Sequence, residues 1–422
     1  MPTLKILTSF VSNYKTKPRA LYLLCFMILS WAIFDGIISF ITPIMITERG
    51  ISETLMGIII GSSSIAGALF DFIVCRIFKN TYYKKIFLFM FIICLVYPLI
   101  LYKANTFLIY LLAMALWGIY YDFKNIGNFD FISRHTTKSS HSENFGLLQV
   151  FQAIGYLIAP ILVGFLIAEE FNYQPLVLAW IFLVISLIFF LFLFFSRRKK
   201  SESTQIKDGP QKQRSVWSEF NVWGRIGRIL LPVLILTLML NFIDAFFWTI
   251  GPIFAESLSD IQRFSGFFMV AYSLPALLAG WTVSLFTKKY GQKRTAFISL
   301  LIGSIFLSLI YFINNQIFII IDIFVSSVFI SISWPAINGA YADYISETTK
   351  YEKEIEGLED FYTNLGYIIG PMIAGFAASI LGNSGAFSFI GLTGIAIAII
   401  LIFITPKKIN VYKSLSAQNE MV

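Results

Sequence analysis

Twelve apolar runs, each about as long as a bilayer is thick, constrain this chain more than any other feature. They lie at roughly 20–46, 54–78, 86–103, 107–131, 145–168 and 175–196, then 229–255, 264–287, 295–313, 316–342, 361–381 and 385–405. A helix needs about 20 residues to cross ~30 Å of hydrocarbon, and inside lipid the backbone must satisfy its own hydrogen bonds. The expected fold is therefore an all-α integral membrane bundle of twelve transmembrane helices, numbered as spans 1 to 12 in chain order. Composition agrees, since only 13% of the 422 residues are charged where soluble domains carry about 25%. Span 1 is too long, and too polar between Trp31 and Ser39, to be a cleaved signal peptide.

The basic residues orient the bundle. If successive loops alternate sides, 28 of the 32 lysines and arginines fall on the side that holds both termini. Only Arg49, Lys103 and Arg263 fall opposite, and Lys124 lies within a span. The positive-inside rule then places both termini in the cytoplasm, in a multi-pass protein of the cell membrane. The net charge of +8 is thus a topology signal. Arg197 to Lys200 would face an anionic lipid surface, and nucleic acid is not an expected partner. Cys25, Cys75 and Cys94 fall within spans, and His135 and His141 have no third ligand beside them, so no metal site is expected. No cofactor is called for either. Without a Gly-x-x-x-x-Gly-Lys-[Ser/Thr] loop or a nucleotide-sized soluble domain, an enzyme or an ATP-driven pump is disfavoured.

The two halves repeat. Residues 197–228 are polar and basic with a Gly-Pro, the composition of a linker, and they divide a six-span unit (1–196) from a second one (229–422). At a shift of 209, IFDGIISFITPI meets FIDAFFWTIGPI, which aligns Asp35 with Asp244 and Lys84-Lys85 with Lys293-Arg294. At 211, GYLIAPILVGF meets GYIIGPMIAGF, and at 213, NIGNFDFIS meets NGAYADYIS. A duplicated six-helix unit with small loop changes leaves this pattern, and parallel repeats are a known transporter plan.

Six plus six spans around a basic linker, basic loops 2/3 and 8/9, and the Gly-x-x-x-[Gly/Ala]-Pro pattern of spans 5 and 11 resemble the major facilitator superfamily over nearly the whole chain. The family's loop 2/3 signature is not kept, because Cys75, Lys79, Ser284 and Lys288 stand where the family has Gly and Asp. The resemblance implies two pseudo-symmetric six-helix bundles with spans 1, 4, 7 and 10 around a central cavity. Helical spacing fits that placement. Trp31, Asp35, Ser39 and Thr42 share one face; so do Thr237, Asn241, Asp244 and Trp248; so do Trp117, Tyr121, Lys124 and Asn128; so do Ser327, Ser331, Trp334 and Asn338. The expected substrate surface is Trp31, Trp117, Tyr121, Lys124, Asn125, Asn128, Asn241, Trp248, Trp334 and Asn338, unless the tryptophans merely pack the bundle.

A charge at mid-bilayer is costly enough that it usually faces the interior and pairs or functions. Asp35 and Asp244, the symmetric pair, are the first candidates for binding a proton or cation; a fixed ion pair with Lys124 is the alternative. Asp122 is a third candidate for proton coupling. It cannot pair with Lys124 two residues on, because the two point to different sides of the helix, and it should face span 2 or 5. The resemblance also implies an inner gate in which Asp130 and Asp343 meet Arg76, Lys79, Lys288 and Lys289. Gly155, Pro160, Gly366, Gly370 and Pro371 read as helix-packing and bending positions, and the family associates the span 5 pattern with proton-driven exporters. Three functions follow in order: proton-coupled export of an amphipathic or cationic small molecule, symport or uniport of a sugar or small metabolite, and a non-transporting scaffold or receptor. A monomer is expected.

Overall fold

The computed structural model of the protein describes residues 19–77, 82–135, 141–167, 173–195, 216–258, 266–348 and 351–406. Spans 1 to 6 are the helices Arg19–Glu48, Glu53–Ile77, Tyr83–Lys103, Phe107–His135, His141–Ile167 and Gln174–Phe195. Span 7 is Val216–Thr249, continued after a break by the short helix Gly251–Ser257, where Pro252 sits at the start and needs no helical N–H. Spans 8 to 10 are Gly266–Tyr290, Gln292–Leu309 and Gln316–Glu347. Spans 11 and 12 run on as Glu352–Ile404, interrupted at Gly382, whose φ of 72° is open to glycine and strained for other residues. The described residues are almost wholly helical and contain no strand. Residues 197–215 of the linker lie outside the described residues, and 216–228 are helical, continuous with span 7.

Helices this uniformly apolar gain little from hiding one face, so close approach of small residues decides which faces meet. In the first half a methyl on Gly36 would stand 2.7 Å from Ala159 Cβ, and one on Gly155 would stand 2.6 Å from Ala32 Cβ. Spans 1 and 5 therefore pack backbone to backbone. The second half repeats the contact between spans 7 and 11, with Gly370 against Ala245 and Gly366 against Asn241.

The halves meet through span 2 on span 11 and span 5 on span 8. Gly57 lies under the carbonyl of Pro371, Gly375 under that of Glu53, and Gly266 under that of Pro160. Thr54 and Ser379 share a hydrogen bond of 3.0 Å at the ends of spans 2 and 11. These approaches run from the middle of the bundle to the face away from the termini, the far face. Spans 4 and 10, which end at the terminal face, do not pack extensively on each other. Among the described residues, the close approaches between the halves thus lie on the far face, and spans 4 and 10 make no comparable approach on the terminal face.

Candidate functional site

Asp35, in the middle of span 1, is 2% exposed. Tyr156 Oη donates to its Oδ2 at 2.7 Å, Trp117 Nε1 to its Oδ1 at 3.0 Å, and Tyr120 Oη to the same oxygen. Three neutral donors from spans 4 and 5 thus replace the water that the carboxylate lost on burial, which is what lets an acid sit there. Asp244, its counterpart on span 7, is only half-buried. Tyr367 Oη donates to its Oδ2 at 2.6 Å and Tyr272 Oη to its Oδ1.

The two clusters share a plan. Tyr156 and Tyr367 occupy the second position of the aligned GYLIAP and GYIIGP motifs, so each repeat hangs the span 5 or 11 tyrosine on the span 1 or 7 aspartate. Sequence reasoning used the glycines and prolines of that motif and passed over its tyrosines. Tyr120 and Tyr272 carried no signal beyond being tyrosines within spans 4 and 8.

Lys124 is 2% exposed and makes no ion pair with Asp35, Asp122 or Asp244 among the described residues. Its ammonium lies 4.0 Å from the Tyr121 ring centroid and 5.1 Å from that of Trp31, with Gln152 Oε1 at 3.5 Å. Cation–π contacts, worth about 2 kcal/mol each when desolvated, stand where a counter-ion from another helix was expected. Gln152 was not anticipated. Asp122 faces span 2, where a methyl on Gly67 would come within 2.7 Å of its Oδ2.

The remaining stripe residues divide. Trp31 is fully buried behind Tyr120 and Tyr121 and forms the floor of the site rather than its surface. Trp117, Tyr121, Asn125, Trp248 and Trp334 are half-buried. Trp248 meets Tyr156 edge-on at 5.7 Å, a ring contact from one half of the molecule to the other. Asn128 and Asn241 are buried with their side-chain carbonyls unbonded, while Asn241 Nδ2 donates to Thr237 O at 2.8 Å. Asn338 is exposed.

At the terminal face Asp130 accepts from Tyr83 N at 2.8 Å and pairs with Arg134 at 2.6 Å, which caps the start of span 3. Asp343, Lys288 and Lys289 are exposed, and no ion pair joins them among the described residues. Lys79 and the side chain of Arg76 lie outside the described residues.

Two six-helix bundles around a mid-plane cluster of acids, tyrosines, tryptophans and one lysine have the plan of a membrane transporter rather than of an enzyme. The model of the Major Facilitator Superfamily matches residues 23–260 and 233–418, so the chain belongs to that superfamily. Solved structures agree in fold. A nucleoside transporter, NupG, is 15% identical and superposes over 92% of this chain and 100% of its own with a TM-score of 0.73. A POT family transporter complexed with a thioalcohol-conjugated peptide is 14% identical over 93% of this chain and 97% of its own, with a TM-score of 0.71. The E. coli fucose:proton symporter FucP is 16% identical over 90% and 97%, with a TM-score of 0.55. No curated protein sequence matches the chain.

Proposed function

We propose that the protein couples proton movement to export of a small amphipathic or cationic molecule, with Asp244 as the group that exchanges the proton. The observation that carries this reading is the asymmetry of the two acids. Asp35 is sealed at 2% exposure by three donors, whereas Asp244 is only half-buried beside Tyr272, Tyr367 and Trp248, and has no cation paired with it among the described residues. A carboxylate in that setting has use for a proton or for the positive end of a substrate. Trp117, Trp248 and Trp334 supply the apolar and cation–π surface such a substrate needs. With both termini cytoplasmic, the terminal face opens inward, ready to load from the cytoplasm, and Asp130 and Asp343 approach basic loops only when that face closes.

A second reading, symport of a hydroxylated solute such as a sugar or nucleoside, is favoured by the unbonded carbonyls of Asn128 and Asn241 and by the solutes named for NupG and FucP. Proteoliposomes loaded with a pH dye and challenged with lipophilic cations, sugars and nucleosides separate the two by the direction of proton flux. Asp244→Asn is expected to abolish substrate-driven flux; undiminished flux in that variant would remove Asp244 from the mechanism.

A further inference from the structure

Span 11 carries a polar line that its counterpart in the first half lacks. Glu359, Thr363 and Tyr367 recur at every fourth residue, so they share one face of the helix over about 12 Å at 1.5 Å per residue. At the mid-plane end Tyr367 Oη donates to Asp244 Oδ2 at 2.6 Å. One turn nearer the terminal face Asn241 Nδ2 donates to Thr363 Oγ1 at 3.4 Å. That leaves the threonine's own proton free for the carboxyl of Glu359, which lies beside it. Spans 7 and 10 border the same line with Thr237 and Tyr341, whose hydroxyls are 2.9 Å apart. Glu359 is half-buried and makes no ion pair among the described residues. The charges nearest it, Asp360 and Glu356, are acids of its own helix. Span 10 presents Tyr341 to it, and span 7 sets Trp223 against Gly357 and Gly227 against Leu358 on the adjoining turn.

The first half supplies an internal control. At the repeat shifts, Leu148 and Gln152 stand for Glu359 and Thr363, and Ile28 and Ala32 stand for Thr237 and Asn241. Ile28 and Ala32 are wholly buried and Leu148 is 3% exposed. The one polar group kept on that line, Gln152, has Lys124 Nζ at 3.5 Å. Apolar side chains cannot pass a proton, and an ammonium at that level repels one. Only Tyr156 and Tyr367, next to the aspartates themselves, are common to both halves. The polar line therefore belongs to the half whose aspartate is half-buried, and is absent from the half whose aspartate is sealed.

We propose that Glu359 is the relay through which Asp244 exchanges its proton with water at the terminal face. The proton leaves the Asp244 carboxyl for the Tyr367 hydroxyl, and each hydroxyl on the line takes a proton on its oxygen as it gives up its own, with water bridging one turn to the next. The Glu359 carboxylate receives the proton and then releases it to bulk water. One proton has left, and both acids end as carboxylates. Carboxyl relays of this kind are a recognised use of ionisable groups within membranes. This inference rests on the reading of Asp244 as the proton-exchanging group, and it holds for export and symport alike, because in both the proton leaves on the terminal side.

A stopped-flow pH jump on the purified full-length protein, with a soluble pH dye reporting released protons, tests the relay without any transported substrate. The phase to follow is the one that Asp244→Asn removes, measured in each background. In Glu359→Gln that phase should keep its amplitude and its midpoint pH but slow about a hundredfold, the low end of what a positioned acid–base group supplies. Thr363→Val should slow it as well, Glu359→Asp should keep most of the rate, and added formate should restore the rate of Glu359→Gln by standing in for the missing carboxyl. If Asp244→Asn removes no phase, Asp244 exchanges no proton, and the reading beneath the relay fails together with it. If the phase exists and Glu359→Gln leaves its rate unchanged, Asp244 meets water by another route and the relay alone is overturned. A slowed phase that formate does not speed would assign the loss to a displaced helix, which equally overturns Glu359 as the proton carrier.

Discussion

Two aspartates at equivalent places in a repeat have different surroundings, and the difference separates stability from transport. Asp35 accepts from Tyr120, Tyr156 and Trp117 in a place water does not reach. In Asp35→Asn one of the two oxygens becomes an NH2 that confronts a hydroxyl donor, and hydrogen bonds to a charged acceptor are worth about 1.5–3 kcal/mol each. That substitution should lower thermal stability by about 2–3 kcal/mol. Asp244→Asn is half-buried, so water can make good what its tyrosines lose, and its cost should stay near ~1 kcal/mol. Melting curves of the two purified variants check the order; an Asp244 variant that melts as early as the Asp35 variant would mean that both acids hold the bundle together. The positions of both acids were legible in the sequence, because a charge in an apolar run and a matched partner 209 residues on are visible without a structure. Their tyrosine partners were not, because a tyrosine in a membrane helix looks the same whether its hydroxyl meets an acid or the headgroup region.

Helix pairs carry the next level of meaning. Gly155, Gly366 and Gly370 read in sequence as packing positions without a named partner helix, and the structure sets Gly155 against Ala32 of span 1, and Gly366 and Gly370 against Asn241 and Ala245 of span 7. The contacts between the halves were harder to foresee. Gly57 and Gly375 had no periodic signal, and a small residue facing another bundle cannot be told in sequence from one facing its own. Here their lack of a Cβ is what allows span 2 to lie on the carbonyls of span 11 and span 11 on those of span 2. Gly57→Val would drive a branched side chain into the Pro371 carbonyl, so the far face should no longer close. The lysine on span 4 is the other instance in which spacing placed a residue and chemistry chose its partner: Lys124 shares the predicted face with Tyr121, but rings and not a carboxylate hold it. Its cage predicts that Tyr121→Ala destabilises the protein by about 1–2 kcal/mol through the lost cation–π contact, and that Lys124→Met in the same background recovers most of that loss. A double-mutant cycle on melting data measures the coupling, and purely additive losses would show that the ring and the ammonium do not interact.

Across the whole molecule, close approach of the halves on the far face, among the described residues, is the property that bears on transport, because two rigid bundles joined by a linker can rock about a fixed mid-plane site. The far face offers a direct handle. Thr54 and Ser379 hydroxyls are 3.0 Å apart, close enough that cysteines there can reach disulfide geometry with little backbone movement. Under oxidation Thr54→Cys with Ser379→Cys should cross-link and stop transport, and addition of Gly57→Val should suppress the cross-link. On the terminal face the aligned ends of spans 4 and 10, Ser133 and Ser346, are both exposed, and the pseudo-symmetry of the repeats brings them together only when the far face opens. Cysteines at those two positions should therefore cross-link poorly in the protein as it stands and efficiently once Gly57→Val holds the far face apart. If the two cross-links form together in one molecule, the bundles do not exchange one closed face for the other. If they exclude each other, and each alone arrests substrate-driven flux, the arrangement described here is one half of a cycle whose other half is its near mirror image.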